Sequence, residues 1–132
     1  MESGRSELCI SRSASRWTRC LLWKFASLAA QYSILDGENP VLLVQDGYGV
    51  YDEGLNAQLR AAAAAADVEV QLAVISGFGS DASIAMKFGH VARAACLAFP
   101  TQNTHGFEIA HLGAIGNCAA ILKAYCDQLS DD

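Results

Sequence analysis

Two stretches of this 132-residue sequence combine residue types that can do chemistry. The first is Gly77-Phe78-Gly79-Ser80-Asp81-Ala82, lying between an apolar run and a helical pattern. A Gly-x-Gly-x-x-Ala turn between strand and helix has the spacing with which backbone amides meet a pyrophosphate. That chemistry also needs a carboxylate about twenty residues further on, for the ribose hydroxyls. No Asp or Glu stands between Asp81 and Glu108, and Asp81 itself would set a negative charge against the phosphate. Nucleotide binding therefore does not fit. Two possibilities stay open: a loop that lines a ligand, and a tight turn in which Ser80 or Asp81 caps the next helix.

The second stretch is Asn103-Thr104-His105-Gly106-Phe107-Glu108, with His111 beyond it. It follows a buried-strand pattern, a place where α/β sheets tend to put their sites. His105 could be a metal ligand, a general base or a solvated side chain. His105, Glu108 and His111 recur every three residues and could share a helical face, but a zinc centre needs a fuller convergent set. The five cysteines (Cys9, Cys20, Cys96, Cys118 and Cys126) are odd in number and include no Cys-x-x-Cys pair. They fit neither a disulfide framework nor a structural zinc site, and read as reduced core thiols in a cytoplasmic protein.

The elements that must position these residues alternate from Pro40 onward. Val41-Leu42-Leu43-Val44 is a short apolar strand, and Asp46-Gly47-Tyr48-Gly49 is a turn. Asp52 is a helix N-cap, and residues 55–66 form a helix with six consecutive alanines. Residues 68–75 (VEVQLAVI) read as a strand, 81–88 as a short helix, 91–99 as a strand closed by Pro100, 101–106 as a polar loop, and about 112–129 as a helix. The order β-α-β-α-β-α predicts an α/β protein with helices layered on a sheet.

Charge divides the chain. The first 24 residues carry five bases against Glu2 and Glu7, whereas the remainder carries four bases against twelve acids, for a net of −5 overall. Such a shift marks residues 1–35 as a leader, irregular or helical, before a domain at 36–132. The acidic balance excludes a nucleic-acid or anionic-membrane surface. Residues 21–30 (LLWKFASLAA) are about half of the ~20 residues a membrane span needs, and Lys24 interrupts them. Behind a Ser- and Arg-rich stretch they bear a faint likeness to a targeting peptide.

Taken together, Pro40-Val41-Leu42-Leu43-Val44-Gln45-Asp46, Gly77-Phe78-Gly79-Ser80-Asp81-Ala82 and Phe99-Pro100-Thr101, with His105 five residues after the proline, resemble the dinuclear-metal aminopeptidases of the deblocking, glutamyl and tetrahedral-particle type. The resemblance covers about residues 36–129. It implies the C-terminal part of a three-layer α/β/α catalytic domain of zinc-peptidase type. It further implies hydrolysis of N-terminal residues from peptides, and two divalent metal ions, zinc or cobalt, with His105 as the last ligand. Gly79, Ser80 and Asp81 would line the substrate pocket beside the metals, and Glu108 would support the ligand from behind. Ser80 stands where the family has Thr, and Glu108 follows His105 one residue sooner than usual. Gln45-Asp46-Gly47-Tyr48-Gly49 and Lys87-Phe88-Gly89-His90 also depart from the common pattern, which implies a distinct subfamily with a small peptide substrate.

The family's chemistry needs two ions to polarise the scissile carbonyl and activate a water. No histidine precedes His90 and no adjacent Glu pair occurs, so the general-base Glu and most ligands are absent. The expectation is an aminopeptidase fragment, inactive as an isolated chain. It would be completed by a missing N-terminal half or associate as a homo-oligomer through its uncovered sheet. The alternative is a non-catalytic α/β binding or assembly module that keeps the fold.

Overall fold

A computed structural model describes residues 7–11, 17–26, 34–103 and 107–130. Among these described residues, six strands and three helices follow one another as β1 (Glu7–Ser11), β2 (Trp17–Ala26), β3 (Val41–Gln45), α1 (Glu53–Ala65), β4 (Gln71–Val74), α2 (Asp81–Lys87), β5 (Arg93–Gln102), β6 (Ile109–Ala110) and α3 (Leu112–Ser130). The strands form one mixed sheet in the order β1-β2-β5-β3-β4, with β6 paired to β5. β3 and β4 run parallel, as do β2 and β5, but β5 lies antiparallel to β3, with Val41 opposite Ala98 and Leu42 opposite Leu97.

The layering follows from the period of two along each strand. On one face Val41, Leu43, Ala94, Cys96 and Ala98 pack with Ala82 and Ala85 of α2. On the other, Leu42, Ala95 and Leu97 pack with Leu55, Leu59, Ala62 and Ala63 of α1 and with Cys118, Ile121 and Tyr125 of α3. The result is the α/β/α arrangement expected from the alternating pattern. Burying each of the large aliphatic side chains contributes about 2 kcal/mol, and Leu42, Leu55, Leu59, Leu97 and Ile121 are all fully enclosed. The alanine run places Ala62 and Ala63 against the sheet and leaves Ala61, Ala64 and Ala65 outward. Cys96 and Cys118 are buried and Cys126 half-buried, all three as free thiols. No helix among the described residues is long and apolar enough to cross a membrane.

Several boundaries differ from the sequence pattern, each for an identifiable reason. The irregular or helical leader is replaced, over the described residues, by β1 and β2: Thr18 to Ala26 register in parallel with Arg93 to Thr101 of β5. A short apolar run cannot by itself distinguish strand from helix, and here the edge of β5 decides. β4 begins at Gln71 rather than Val68 because residues 66–68 close α1: the Asp67 amide bonds Ala64 O and the Val68 amide bonds Ala63 O. β5 continues through Pro100, which lies beyond the β3 register, because Thr101 and Gln102 pair with Ala110 and Ile109.

Both α1 and α2 end in the same two-bond closure, with a left-handed residue just past the cap. In α2 that residue is Gly89 (φ +74°), and in α1 it is Asp67 (φ 54°). Asp pays a steric cost there that Gly does not. Asp67→Gly should therefore stabilise the protein by about 0.5–1 kcal/mol, seen as a higher urea midpoint at unchanged slope. Gly89→Ala, with open space around the new methyl, should lower the midpoint by a comparable amount.

Candidate functional site

β3 leaves the sheet at Asp46, whose carboxylate turns inward and is almost wholly buried, at 3% exposure. Five donors surround it. Oδ1 accepts from the amides of Tyr48 (2.9 Å) and Gly49 (3.3 Å). Oδ2 accepts from the Tyr51 hydroxyl (2.6 Å), the Ser83 hydroxyl (2.6 Å) and the Ser80 amide (2.9 Å). Since Tyr51 gives its one proton to the carboxylate, the 2.6 Å contact between Tyr51 Oη and Ser80 Oγ is made with Ser80 donating. Ser80 Oγ in turn accepts from the Ser83 amide at 3.0 Å, so Ser80 and Ser83 form a capping box at the start of α2.

Burial alone would push the Asp46 carboxyl up. The hydrogen bonds from Ser83, Tyr51, Ser80 and Tyr48 outweigh it and hold the carboxyl below the ordinary carboxylate value. Tyr51 is shifted the other way, by burial first, then by the field of Cys96 and its bond to Asp46, so it stays protonated.

Around this carboxylate the turn after β3 and the loop before α2 interlock. The Gly47 amide donates to Phe78 O at 2.6 Å, and a Cβ at Gly47 would stand 2.9 Å from that same oxygen. The Tyr48 ring lies directly on Gly79, where an added Cβ would come within 1.8 Å of Tyr48 Cδ2. The Lys87 ammonium sits 5.3 Å from the centre of the same ring. Nearby, Asp52 caps α1 through the Leu55 amide (2.7 Å) and receives Arg93 Nε (3.0 Å) and Nη2 (2.8 Å). The Arg93 bonds, opposed in part by burial, lower the Asp52 carboxyl.

The loop at 79–81 is thus structural at its centre. Gly79 is covered by Tyr48, Ser80 is buried with both its amide and its hydroxyl engaged, and Asp81, half-buried, opens α2. The Ser80 amide, which a phosphate would need, belongs to Asp46. Nothing in the sequence around Asp46 announced this network: Asp46-Gly47 reads as a turn, and the Ser80-x-x-Ser83 spacing is the one local sign of a cap.

The second stretch lies elsewhere. Because β5 runs antiparallel to β3, Gln102 and its partner Ile109 lie at the end of the sheet at which β3 begins, whereas 46–49 and 76–80 lie where β3 and β4 end. The ten residues of β5 put roughly 30 Å between the two ends. Gly79, Ser80 and Asp81 therefore stand at the opposite end of the sheet from Gln102 and Ile109. His105 itself lies outside the described residues. Glu108 is half-buried just before β6. A shared helical face for His105, Glu108 and His111 is also corrected, since Ile109 and Ala110 form a strand opposite Gln102 and Thr101. His111 caps α3, its Nδ1 accepting from the Gly113 amide at 3.1 Å, with Glu38 Oε1 at 3.6 Å. Among the described residues no group of three or more His, Cys, Asp or Glu side chains could hold a metal ion. Those residues alone therefore do not fit the pair of ions that the resemblance implies.

Comparison with solved structures defines the class. An aminopeptidase from the archaeon Desulfurococcus kamchatkensis matches with a TM-score of 0.70 at 23% identity, over 84% of this chain and 33% of that one. A TET aminopeptidase from Thaumarchaeota archaeon SCGC AB-539-E09 matches at 0.69 and 20%, over 80% and 31%. Pyrococcus horikoshii TET1 peptidase, which can assemble into a tetrahedron or a large octahedral shell, matches at 0.64 and 22%, over 81% and 31%. The shared fold is that of part of a peptidase domain, and the chain spans about a third of the length of these structures. A search of the curated proteins found no match. The model of the M42 glutamyl aminopeptidases matches residues 26–121, and the chain belongs to that family.

Two outcomes test the network. Gly79→Ala should cost about 1–3 kcal/mol by overpacking, and most of that cost should vanish in a Tyr48→Ala background, as read from a double-mutant cycle. Asp46 has a folded-state pKa below its unfolded value, so its contribution is full above the unfolded value and is lost as pH falls through the folded one. Asp46→Asn should lower stability at neutral pH by about 2–4 kcal/mol. It should also flatten the acid limb of a stability-against-pH curve.

Proposed function

We propose that this chain is part of a metal-dependent aminopeptidase: the C-terminal section of the catalytic domain, which presents His105 as one ligand to a pair of divalent ions. The observation that carries this is the family match over residues 26–121. It is supported by the pairing of β5 with β6, which brackets the His105 segment with strands at one end of the sheet. Glu108 stands next to that segment, as a carboxylate orienting the imidazole would. When bound, the ions would polarise a peptide carbonyl and activate water; the chain's own part is to hold the imidazole. The 79–81 loop braces the end of the sheet opposite Gln102 and Ile109.

In this proposal the isolated chain does not hydrolyse peptides, because its sequence has no histidine before His90 and no adjacent Glu pair. It also self-associates. The P. horikoshii relative forms large assemblies, and here Leu35, Leu72, Val74, Phe107, Ile109 and Leu112 are all exposed. The free thiols Cys96, Cys118 and Cys126 suit a reducing cytoplasm.

Calorimetry with zinc and with cobalt, on the wild type and His105→Ala, tests the assignment alongside hydrolysis of a short alanyl peptide. Weak binding of a single ion, lost in His105→Ala, with no hydrolysis, is expected. Hydrolysis by the purified chain would overturn its dependence on outside ligands. Metal binding unchanged by His105→Ala, or no binding at all, would favour a binding or assembly module that keeps only the fold.

A further inference from the structure

At the end of the sheet opposite Gln102 and Ile109, the interlocked turn and loop hold large apolar side chains out in solvent. Tyr48 is 46% exposed, Val50 62%, Phe78 36% and Phe88 69%. The segments that carry Tyr48, Phe78 and Lys87 are held against one another, and Phe88 follows Lys87 directly in the chain. Gly47 donates to Phe78 O, the Tyr48 ring lies on Gly79, and Lys87, next to Phe88, sits over that ring. Two glycines without room for a methyl group and a buried carboxylate with five donors keep this aromatic surface rigid. An exposed Tyr and Phe set held at low entropic cost is the composition of a binding hot spot, not of an ordinary solvated face.

Its charge is distinctive too. Among the described bases outside the leader, Arg60 pairs with Glu53, Arg93 with Asp52 and Lys123 with Asp127, whereas Lys87 faces an aromatic ring. The opposite end of the molecule is its complement. There Asp36 and Glu38 are exposed beside Leu35, Leu112 and Phe107, which are 71%, 81% and 86% exposed. Gln102 binds Asp36, and the carboxyl of Glu38 packs on Gly113 near His111, so the acids and the apolar residues share one end.

We propose that the surface of Tyr48, Phe78, Lys87 and Phe88 docks the opposite end of a second copy of this chain, with Lys87 meeting Glu38 or Asp36 of that copy and the two apolar surfaces closing around the pair. This rests on the self-association put forward above and adds where it occurs. The two surfaces lie at opposite ends of one molecule, so the contact joins the head of one copy to the tail of another, either in an antiparallel pair or in a longer assembly.

Sedimentation of the full chain over a range of concentrations and salt tests it, using Lys87→Glu, Glu38→Lys together with Asp36→Lys, and the triple swap. These exposed reversals leave the core and the Asp46 network untouched. The expected result is wild-type mass that grows from monomer to dimer or beyond with concentration. Each one-sided reversal should raise the concentration needed at least fivefold, and the triple swap should return it to within twofold of wild type. If the wild type stays monomeric throughout, the self-association itself is wrong and this surface falls with it. If the wild type associates but the reversals leave its curve unchanged, or the triple swap fails to restore it, self-association stands and its assignment to these two ends is overturned.

Discussion

The direction of β5 governs where everything else can be. It is the inner strand that joins β2 to β3, and its antiparallel register with β3 sends its carboxyl end towards the start of β3. In an all-parallel arrangement the loops after β3, β4 and β5 would gather at one end of the sheet, as they do in doubly wound folds. Here the first two are at one end and the third is at the other. Each end then acquires its own character: a tight, buried polar clamp with exposed aromatics, and an acidic, apolar surface that includes Asp36, Glu38, Phe107 and Leu112.

The clamp shows how a small sheet secures its loops when there is little core beneath them. A buried carboxylate is costly unless its lone pairs are met by donors, and Asp46 meets five. Those donors come from the turn after β3, from Tyr51 just beyond it and from the first turn of α2, so one charge ties the 46–51 segment to a helix start 34 to 37 residues further on. Gly47 and Gly79 are required by that close approach, not by unusual backbone angles: neither has a positive φ. Within the α1 face one polar atom stays unsatisfied, Asn56 Oδ1, although Asn56 Nδ2 bonds Leu43 O at 3.0 Å.

Much of the fold was legible beforehand because it rests on local pattern. The apolar run after Pro40, the capped alanine helix, the short helix after the glycine loop and the long C-terminal helix all appear where periodicity and capping put them. The places that were not legible depend on a partner strand. Trp17–Ala26 became a strand at the edge of β5, Ile109–Ala110 became one through Thr101 and Gln102, and β4 lost its first residues to the closure of α1. Of the residues that matter most at the clamp, Asp46 and Ser80 carried a local signal of turn and cap. Ser83 carried only its place three residues after the cap and Tyr51 carried nothing, because a hydroxyl aimed at a carboxylate 5 or 37 residues away leaves no periodic trace.

By itself, then, the sequence determined the α/β class, the chain order of most elements and the family to which the motifs belong, since these follow from side-chain period, caps and short motifs that act over a few residues. Only the tertiary structure decided which of those motifs share a neighbourhood. Motif order along a chain says nothing about strand direction, and the direction of β5, chosen by hydrogen bonding and by burial on both its faces, set the glycine loop and the β5–β6 pair at opposite ends of the sheet.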